Sequence, residues 1–175
     1  MKISLSEIMN EANAVRKMSV PIDLEYFEMN GMRYEFRKKD ALNLSITNLG
    51  EKKVLLEGSS AVILAVPCDR CLSEVMVSIP VSVGKELDFS MTEEERTESL
   101  DETSYISGYD LDTDRLVYDE ILIGFPMKVL CREDCRGICA VCGANLNEGE
   151  CGCDRTVPDP RMAVIRDIFN NFKEV

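Results

Sequence analysis

The feature that most constrains this chain is a cluster of six cysteines within 23 residues near its C-terminal end: Cys131, Cys135, Cys139, Cys142, Cys151 and Cys153. The sequence contains no histidine, so a site for a soft metal has to be built from thiolates. Eight cysteines in 175 residues are too few for a disulfide scaffold, and the first residues do not form a secretory signal. We therefore expect reduced cysteines that hold a structural zinc ion in the cytoplasm.

The central Cys139–Ala–Val–Cys142–Gly143 unit has the two-residue spacing of a zinc knuckle. A tight turn directs both thiolates at one tetrahedral ion, and the glycine lets the backbone bend so that amide groups point at sulfur. Cys151 and Cys153 are two apart, so an extended chain projects them to the same side as an opposing pair. Our first choice of ligands is Cys139, Cys142, Cys151 and Cys153.

The remaining cysteines leave two alternatives open. Cys131 and Cys135 are four apart, so one helical turn, ended by Gly137, would place them on one face. They would then either replace one pair of the tetrad or join Cys68 and Cys71 at a second site. Because the run after Cys71 alternates like a strand, the Cys68–Cys71 motif is predicted to lie in the turn of a β-hairpin rather than at a thioredoxin-like helix start.

Two catalytic interpretations of the cysteines are less favoured. Cys135, Cys139 and Cys142 have the three-then-two spacing of radical S-adenosylmethionine enzymes, but too few residues follow Cys142 to build the barrel that such chemistry needs. Another iron–sulfur cluster is a further alternative. The absence of histidine removes imidazole acid–base catalysis, and we find no nucleophile or phosphate-loop motif. We expect no enzymatic activity.

The rest of the sequence predicts an α+β fold that is mainly antiparallel β-sheet, with five to seven strands, a few helices and the C-terminal cysteine-rich zinc-binding element. Asn30–Gly31 between two alternating runs predicts a hairpin with a type I′ turn. A weak helical pattern covers residues 6–17. Asp112 or Thr113 is expected to cap a helix that Pro126 ends.

These patterns predict three regions. Residues 1–126 form the mainly β domain, with an acidic loop at 86–102 and a helix near 113–124. Residues 127–158 form the zinc element. Residues 159–175 form a helix whose apolar face (Met162, Ile165, Phe169 and Phe172) packs on the core.

The net charge of −12 disfavours broad contact with phosphates or anionic lipid and favours a basic protein partner. No stretch is apolar enough to span a membrane. Arg33, Arg37, Lys38 and Lys39 form a small basic spot, which Lys52 and Lys53 would extend if the strands pair suitably. Direct RNA contact through this spot is a weaker alternative.

The sequence resembles the YceD family, the large ribosomal RNA subunit accumulation proteins. The segments that carry the resemblance are residues 68–72 (CDRCL), 121–127 (ILIGFPM), 130–147 (LCREDCRGICAVCGANLN), 151–153 (CGC) and 159–161 (DPR). The resemblance implies a non-enzymatic ribosome-biogenesis role in the synthesis, processing or accumulation of large-subunit ribosomal RNA. A basic ribosomal protein or a large-subunit assembly intermediate would then be the partner. The alternative function is a redox-responsive zinc-binding regulatory protein, in which oxidation of Cys139 and Cys142 releases the ion.

Overall fold

The computed structural model describes residues 1–11, 13–90 and 104–154, together with Met162, Ile165, Ile168 and Phe169. The fold is α+β and mainly antiparallel β-sheet, which confirms the predicted class. The strands are β1 (Lys2–Ser4), β2 (Val15–Val20), β3 (Tyr26–Met29), β4 (Met32–Lys39), β5 (Leu42–Gly50), β6 (Lys53–Pro67), β7 (Glu74–Asp88), β8 (Ile106–Ser107) and β9 (Asp110–Asp112), and the helices are α1 (Ser6–Met9) and α2 (Thr113–Gly124).

The main sheet is built around the β6–β7 hairpin. Both strands contain 15 residues, and they pair along their full length, from Lys53 opposite Asp88 to Pro67 opposite Glu74. On the other edge of β6, strand β5 pairs with its first half and β4 pairs with its second half. Strands β4 and β5 therefore lie end to end, while β3 and β2 flank them on the outside.

Alternation along these long strands places one face of the sheet in the core. Val54, Leu56, Val62, Leu64 and Val66 of β6 are all at even positions, and each is at most 3% exposed. A period of two is expected of a sheet with one buried face. Helix α2 packs against β7 and contributes further buried side chains: Leu116, Val117 and Ile121.

The local signals around these elements agree with the structure. Asn30 and Gly31 have φ of 53° and 76°, as a type I′ turn between β3 and β4 requires. The Asp112 side chain caps α2 by accepting a hydrogen bond from the Arg115 N–H at 3.3 Å. A small second sheet, with strand order β1–β9–β8, precedes this helix.

Two expectations for the N-terminal half are wrong in detail. The helical pattern at residues 6–17 forms only the four-residue α1, because the segment from Val15 pairs with β5 as strand β2. The predicted start of the acidic loop at residues 86–102 is too early, because β7 continues to Asp88. There Glu86 and Asp88 lie 3.5 and 3.9 Å from the Lys53 ammonium. Residues 91–102 of this segment lie outside the described residues.

The predicted C-terminal helix at residues 159–175 lies largely outside the described residues. Three members of its apolar face are described, and Met162, Ile165 and Phe169 are 50%, 57% and 62% exposed. Burial against the core is therefore not seen at these three positions. Phe172 lies outside the described residues.

One buried polar side chain, Asn48 on β5, connects the sheet to the N-terminal segment. Asn48 is 3% exposed, and its amide nitrogen donates to the carbonyls of Ile8 and Glu11 at 3.0 and 2.8 Å. Its side-chain oxygen accepts the Gly50 N–H at 2.9 Å. The side chain therefore satisfies three backbone groups at the end of the sheet.

Replacing Asn48 with alanine should destabilise the protein by about 1–3 kcal/mol, because two carbonyls and one N–H lose their partners. Urea denaturation measures the free energy of unfolding. Asn43→Ala, at an exposed position on the same strand, is the matched control and should change stability by less than about 0.5 kcal/mol. Equal effects of the two substitutions would contradict the role assigned to Asn48.

Candidate metal centres

The tip of the β6–β7 hairpin carries the first pair of cysteines. The Cys68 N–H donates to the Ser73 carbonyl at 2.8 Å, and the Leu72 N–H donates to the Cys68 carbonyl at 2.9 Å. Leu72 adopts a φ of 63°, which closes the turn. This places Cys68 and Cys71 in a hairpin turn, as the sequence predicts.

The segment after α2 docks on this tip through Asp69 and Val129. The Asp69 N–H donates to the Val129 carbonyl at 2.9 Å, and the Asp69 carboxylate accepts the Val129 N–H at 2.7 Å. Arg70 strengthens the junction by donating to the Cys135 carbonyl at 2.9 Å. These contacts carry Cys131 and Cys135 to the hairpin.

We define the hairpin tetrad as Cys68, Cys71, Cys131 and Cys135, whose four sulfur atoms all lie within 4.8 Å of one another. The Sγ atoms of Cys71 and Cys131 are 3.5 Å apart, and those of Cys68 and Cys135 are 3.8 Å apart. Three of the four residues are buried. Cys131 and Cys135 lie in a turn closed by the Cys135 N–H and the Arg132 carbonyl at 3.2 Å, rather than in the predicted helical turn.

We define the knuckle tetrad as Cys139, Cys142, Cys151 and Cys153, whose sulfur atoms also lie within 4.8 Å of one another. The Gly143 N–H donates to the Cys139 carbonyl at 2.8 Å, and Gly143 has a φ of 75°, which only glycine adopts readily. Cys139 is buried, Cys142 is exposed, and Cys151 and Cys153 are half-buried. This tetrad is more open to solvent than the hairpin tetrad.

Backbone amides lower the pKa of at least one thiol in each tetrad. Burial works to raise the pKa of Cys68, but N–H groups of Cys71, Arg70 and Cys131 point at its sulfur, and the net effect lowers the pKa to about 6. The N–H groups of Cys142 and Val141 likewise lower the pKa of Cys139 to about 6. Amides that stabilise a thiolate in this way are typical surroundings of metal-bound cysteine.

One other thiol in each tetrad, Cys131 and Cys153, retains its proton more strongly. Desolvation is the largest of the effects that raise the pKa of Cys131 to about 12, and hydrogen bonds with the other three thiols of the tetrad add to it. The hydrogen bond that the Cys153 thiol makes with Cys142 is the largest of the effects that raise the pKa of Cys153 to about 12. Four adjacent thiols cannot all ionise without a cation to offset their mutual repulsion.

Asn145 and Asn147 hold the chain after the Cys139–Cys142 turn against the hairpin tetrad and the hairpin turn, and sequence reasoning assigned them no role. The Asn147 amide nitrogen donates to the Cys135 sulfur at 3.3 Å, and its oxygen accepts from the Arg136 N–H and the Arg132 guanidinium, both at 2.8 Å. Asn145 donates to the Ser73 hydroxyl at 3.3 Å and accepts the Asn147 N–H at 3.0 Å. Their position just after the knuckle, within the 130–147 segment that carries the family resemblance, is the sequence signal that could have indicated this role.

The donor set and its dimensions fit a tetrahedral thiophilic ion. A zinc ion with Zn–S bonds of ~2.3 Å requires sulfur–sulfur separations of roughly 3.8 Å. The hairpin tetrad contains separations of 3.5 and 3.8 Å. Thiolates do not suit Mg²⁺ or Ca²⁺, which prefer oxygen. The structure thus brings the first-choice ligands together and groups Cys131 and Cys135 with Cys68 and Cys71.

The basic spot predicted on β4 is largely compensated by neighbouring acids. Arg33 pairs with Glu28 at 3.0 Å, Arg37 with Glu74 at 2.9 Å, and Lys38 with Asp40 at 2.9 Å. Lys39 donates to the Leu24 carbonyl. Lys52 and Lys53 do not extend the spot, because Lys53 begins β6 while β4 pairs with the far half of that strand.

The described residues define a class of protein: an antiparallel β-protein whose longest hairpin and C-terminal segment share two clusters of four cysteines. Residues 56–169 match the family described as "Large ribosomal RNA subunit accumulation protein YceD". The match spans more than half of the sequence and includes all eight cysteines. The chain belongs to the YceD family.

Similar proteins occur in bacteria and in a plant. An uncharacterized protein of Mycobacterium tuberculosis is 29% identical over 128 residues, which cover 73% of this chain and 61% of that protein. The "Large ribosomal RNA subunit accumulation protein YCED homolog 1, chloroplastic" of Arabidopsis thaliana is 24% identical over 135 residues, covering 62% of this chain and 42% of that protein. The chain spans about three fifths of the length of the mycobacterial relative. No solved structure matches the present chain.

Gly137 determines how closely the cysteine-rich segment approaches the hairpin. Its φ is 77°, and a Cβ atom added there would lie 3.1 Å from the Arg70 carbonyl oxygen. A side chain at this position would therefore meet both an unfavourable backbone conformation and the backbone of the hairpin tip.

Gly137→Ala should lower the stability of the protein by about 1–2 kcal/mol, because a left-handed conformation costs that much for a residue with a Cβ. The denaturant midpoint measures the loss. Gly149→Ala is the control, since Gly149 lies in the same segment without a positive φ and has open space around it. A loss at Gly149 as large as that at Gly137 would contradict the proposed close approach.

Proposed function

We propose that this protein is a non-enzymatic ribosome-biogenesis factor that supports the synthesis, processing or accumulation of large-subunit ribosomal RNA. The observation that carries the proposal is the match of residues 56–169 to the YceD family. The name of the Arabidopsis thaliana relative supports the same role. The expected cytoplasmic location remains a prediction. Across the described residues, no helix combines the length and apolar character needed to cross a membrane.

The metal proposed for this function is a structural zinc ion in the knuckle tetrad. Four thiolates complete the tetrahedral coordination of zinc, so a site of this composition keeps no position for water or substrate. When bound, the ion supplies a cross-link between the Cys139–Cys142 turn and the Cys151–Cys153 pair. This chemistry supports a stabilising role rather than a catalytic one.

The proposed partner is a basic ribosomal protein or a large-subunit assembly intermediate that contains one. The net charge of −12 attracts such a partner and repels phosphate. The ion pairs of Arg33, Arg37 and Lys38 reduce the positive field that RNA would need on β4. Both observations favour protein contact over direct RNA contact.

A redox-responsive regulatory protein is the second candidate, and the exposure of the knuckle tetrad favours it. Cys142 is exposed, while Cys151 and Cys153 are half-buried, so a soluble peroxide could reach this site. Oxidation of two thiolates to a disulfide would reduce the peroxide and release the zinc ion. This candidate requires that zinc loss alter the binding of a partner.

Depletion of the protein from growing cells should lower mature large-subunit RNA relative to small-subunit RNA by at least about twofold. A twofold change in the ratio corresponds to a shift of only about 0.4 kcal/mol in an assembly equilibrium. Quantitative RNA analysis and sucrose-gradient profiles measure the ratio, and re-expression of the wild-type chain is the control. An unchanged subunit ratio would reject the ribosome-biogenesis proposal and favour the redox-responsive alternative.

Charge should decide which partner the protein captures. Replacing Glu93, Glu94, Glu95 and Glu98, which lie outside the described residues, with glutamine should weaken capture of basic protein, because attraction falls with net charge and with added salt. Replacing Arg33, Arg37, Lys38 and Lys39 with glutamine is the opposite-charge comparison and should reduce only RNA capture. Affinity capture at two salt concentrations measures both. If the glutamate changes leave the capture of basic protein unaffected, these four glutamates do not contact the partner.

A further inference from the structure

The hairpin tetrad is a second cluster of soft ligands that the proposed function does not use. Its cysteines come from two segments: Cys68 and Cys71 from the β6–β7 turn, and Cys131 and Cys135 from the chain after α2. Residues 60 or more positions apart in sequence thus present their sulfur atoms to one point. Cysteines that served only as apolar core residues would not need to bring four sulfur atoms to one point, as a metal site requires.

We propose that the hairpin tetrad binds its own zinc ion, so that the chain carries two ions and the second one fastens the C-terminal segment to the tip of the β6–β7 hairpin. This site goes beyond the zinc ion proposed for the knuckle tetrad and does not depend on the ribosomal role. The ion would be bound by the Sγ atoms of Cys68, Cys71, Cys131 and Cys135. Each metal-bound sulfur would be a thiolate, with its proton released to solvent.

The groups around the four sulfurs support this assignment. The Cys131 N–H donates to the Cys68 sulfur at 3.3 Å, and the Asn147 amide donates to the Cys135 sulfur at 3.3 Å. Such donors stabilise thiolate and fix the direction of its lone pairs. The Arg70 guanidinium, which contacts the Cys135 carbonyl, adds positive charge beside a site that would carry a net charge of about −2.

Burial of this tetrad also favours a bound ion. Cys68, Cys71 and Cys135 are 0%, 6% and 3% exposed. Buried thiolates without a counter-charge are unfavourable, and the closest sulfur pairs, at 3.5 and 3.8 Å, are well beyond the ~2.05 Å of a disulfide bond. A zinc ion offsets the charge of all four and joins both segments. Its expected effect is to hold the knuckle tetrad in place relative to the sheet.

Metal analysis of the full-length protein, purified under reducing conditions, tests the proposal. The wild type should contain two equivalents of zinc. Cys71→Ser with Cys131→Ser should leave one equivalent, and the matched variant Cys142→Ser with Cys151→Ser should also leave one. If the hairpin variant keeps as much zinc as the wild type, the second site is overturned while the knuckle site stands. If only the knuckle variant keeps the wild-type content, the knuckle assignment fails and the hairpin site stands.

Alkylation of the wild-type chain avoids the risk that a cysteine variant fails to fold. Mass spectrometry after iodoacetamide treatment should show Cys68, Cys71, Cys131 and Cys135 protected in the zinc-loaded protein and modified after a strong chelator is added. Burial without metal would give the same modification with and without chelator. That result would overturn the proposal.

Asn147→Asp provides a variant that keeps all eight cysteines. It removes the donor to the Cys135 sulfur and places a negative charge beside the thiolate, so zinc affinity at the hairpin tetrad should fall by roughly 10–100-fold. Competition with a chromophoric chelator measures the affinity. Asn43→Asp, which adds the same charge at an exposed position on β5, should leave it unchanged. Equal affinities in the two variants would refute the positioning role of Asn147.

Discussion

The pair of hydrogen bonds between Asp69 and Val129 is the contact on which the arrangement of the cysteines depends. One bond joins the two backbones and the other joins the Asp69 carboxylate to the Val129 N–H, at 2.9 and 2.7 Å. A two-bond junction fixes orientation as well as distance, because each bond has directional requirements. These two bonds hold the turn of the β6–β7 hairpin and the chain after α2 in one fixed alignment. The hairpin tetrad lies directly beside this junction.

The length of the β6–β7 hairpin explains why the junction is rigid enough to position ligands. Its two 15-residue strands pair without a register shift, and β7 is held from one side by α2. The C-terminal end of α2 lies close to β7, since a Cβ atom at Gly124 would lie 3.0 Å from a methyl group of Ile79. The chain leaving α2 therefore begins at a fixed place on β7. Only a short stretch then separates it from Val129 at the hairpin tip.

Sequence patterns predicted the parts of this architecture that depend on local chemistry. The Asn30–Gly31 turn, the Asp112 cap and the hairpin at Cys68–Cys71 each follow from residues adjacent in sequence, and each is present. The helix expected at residues 6–17 was wrong because pairing with β5 outweighs a weak helical propensity. The contacts of Asn147 and Asp69 could not be predicted, because their partners lie 12 and 60 residues away along the chain. The grouping of the eight cysteines into two sets could not be predicted for the same reason. Spacing alone did not decide whether Cys131 and Cys135 replace a pair of the first tetrad or join Cys68 and Cys71.

Electrostatics connects the proposed metal sites to the proposed partner. An ion bound by four thiolates has a net charge of about −2, so two such sites would make a chain that already carries −12 more acidic. The arginines of the cysteine-rich segment are engaged locally: Arg132 contacts Asn147 and Asp134, and Arg136 contacts Glu150. Their positive charge is therefore partly offset by neighbouring carboxylates, which reduces what is left to attract an external phosphate. If the proposed ions are bound, this added negative charge favours the proposed binding of a lysine- and arginine-rich protein over binding of RNA itself.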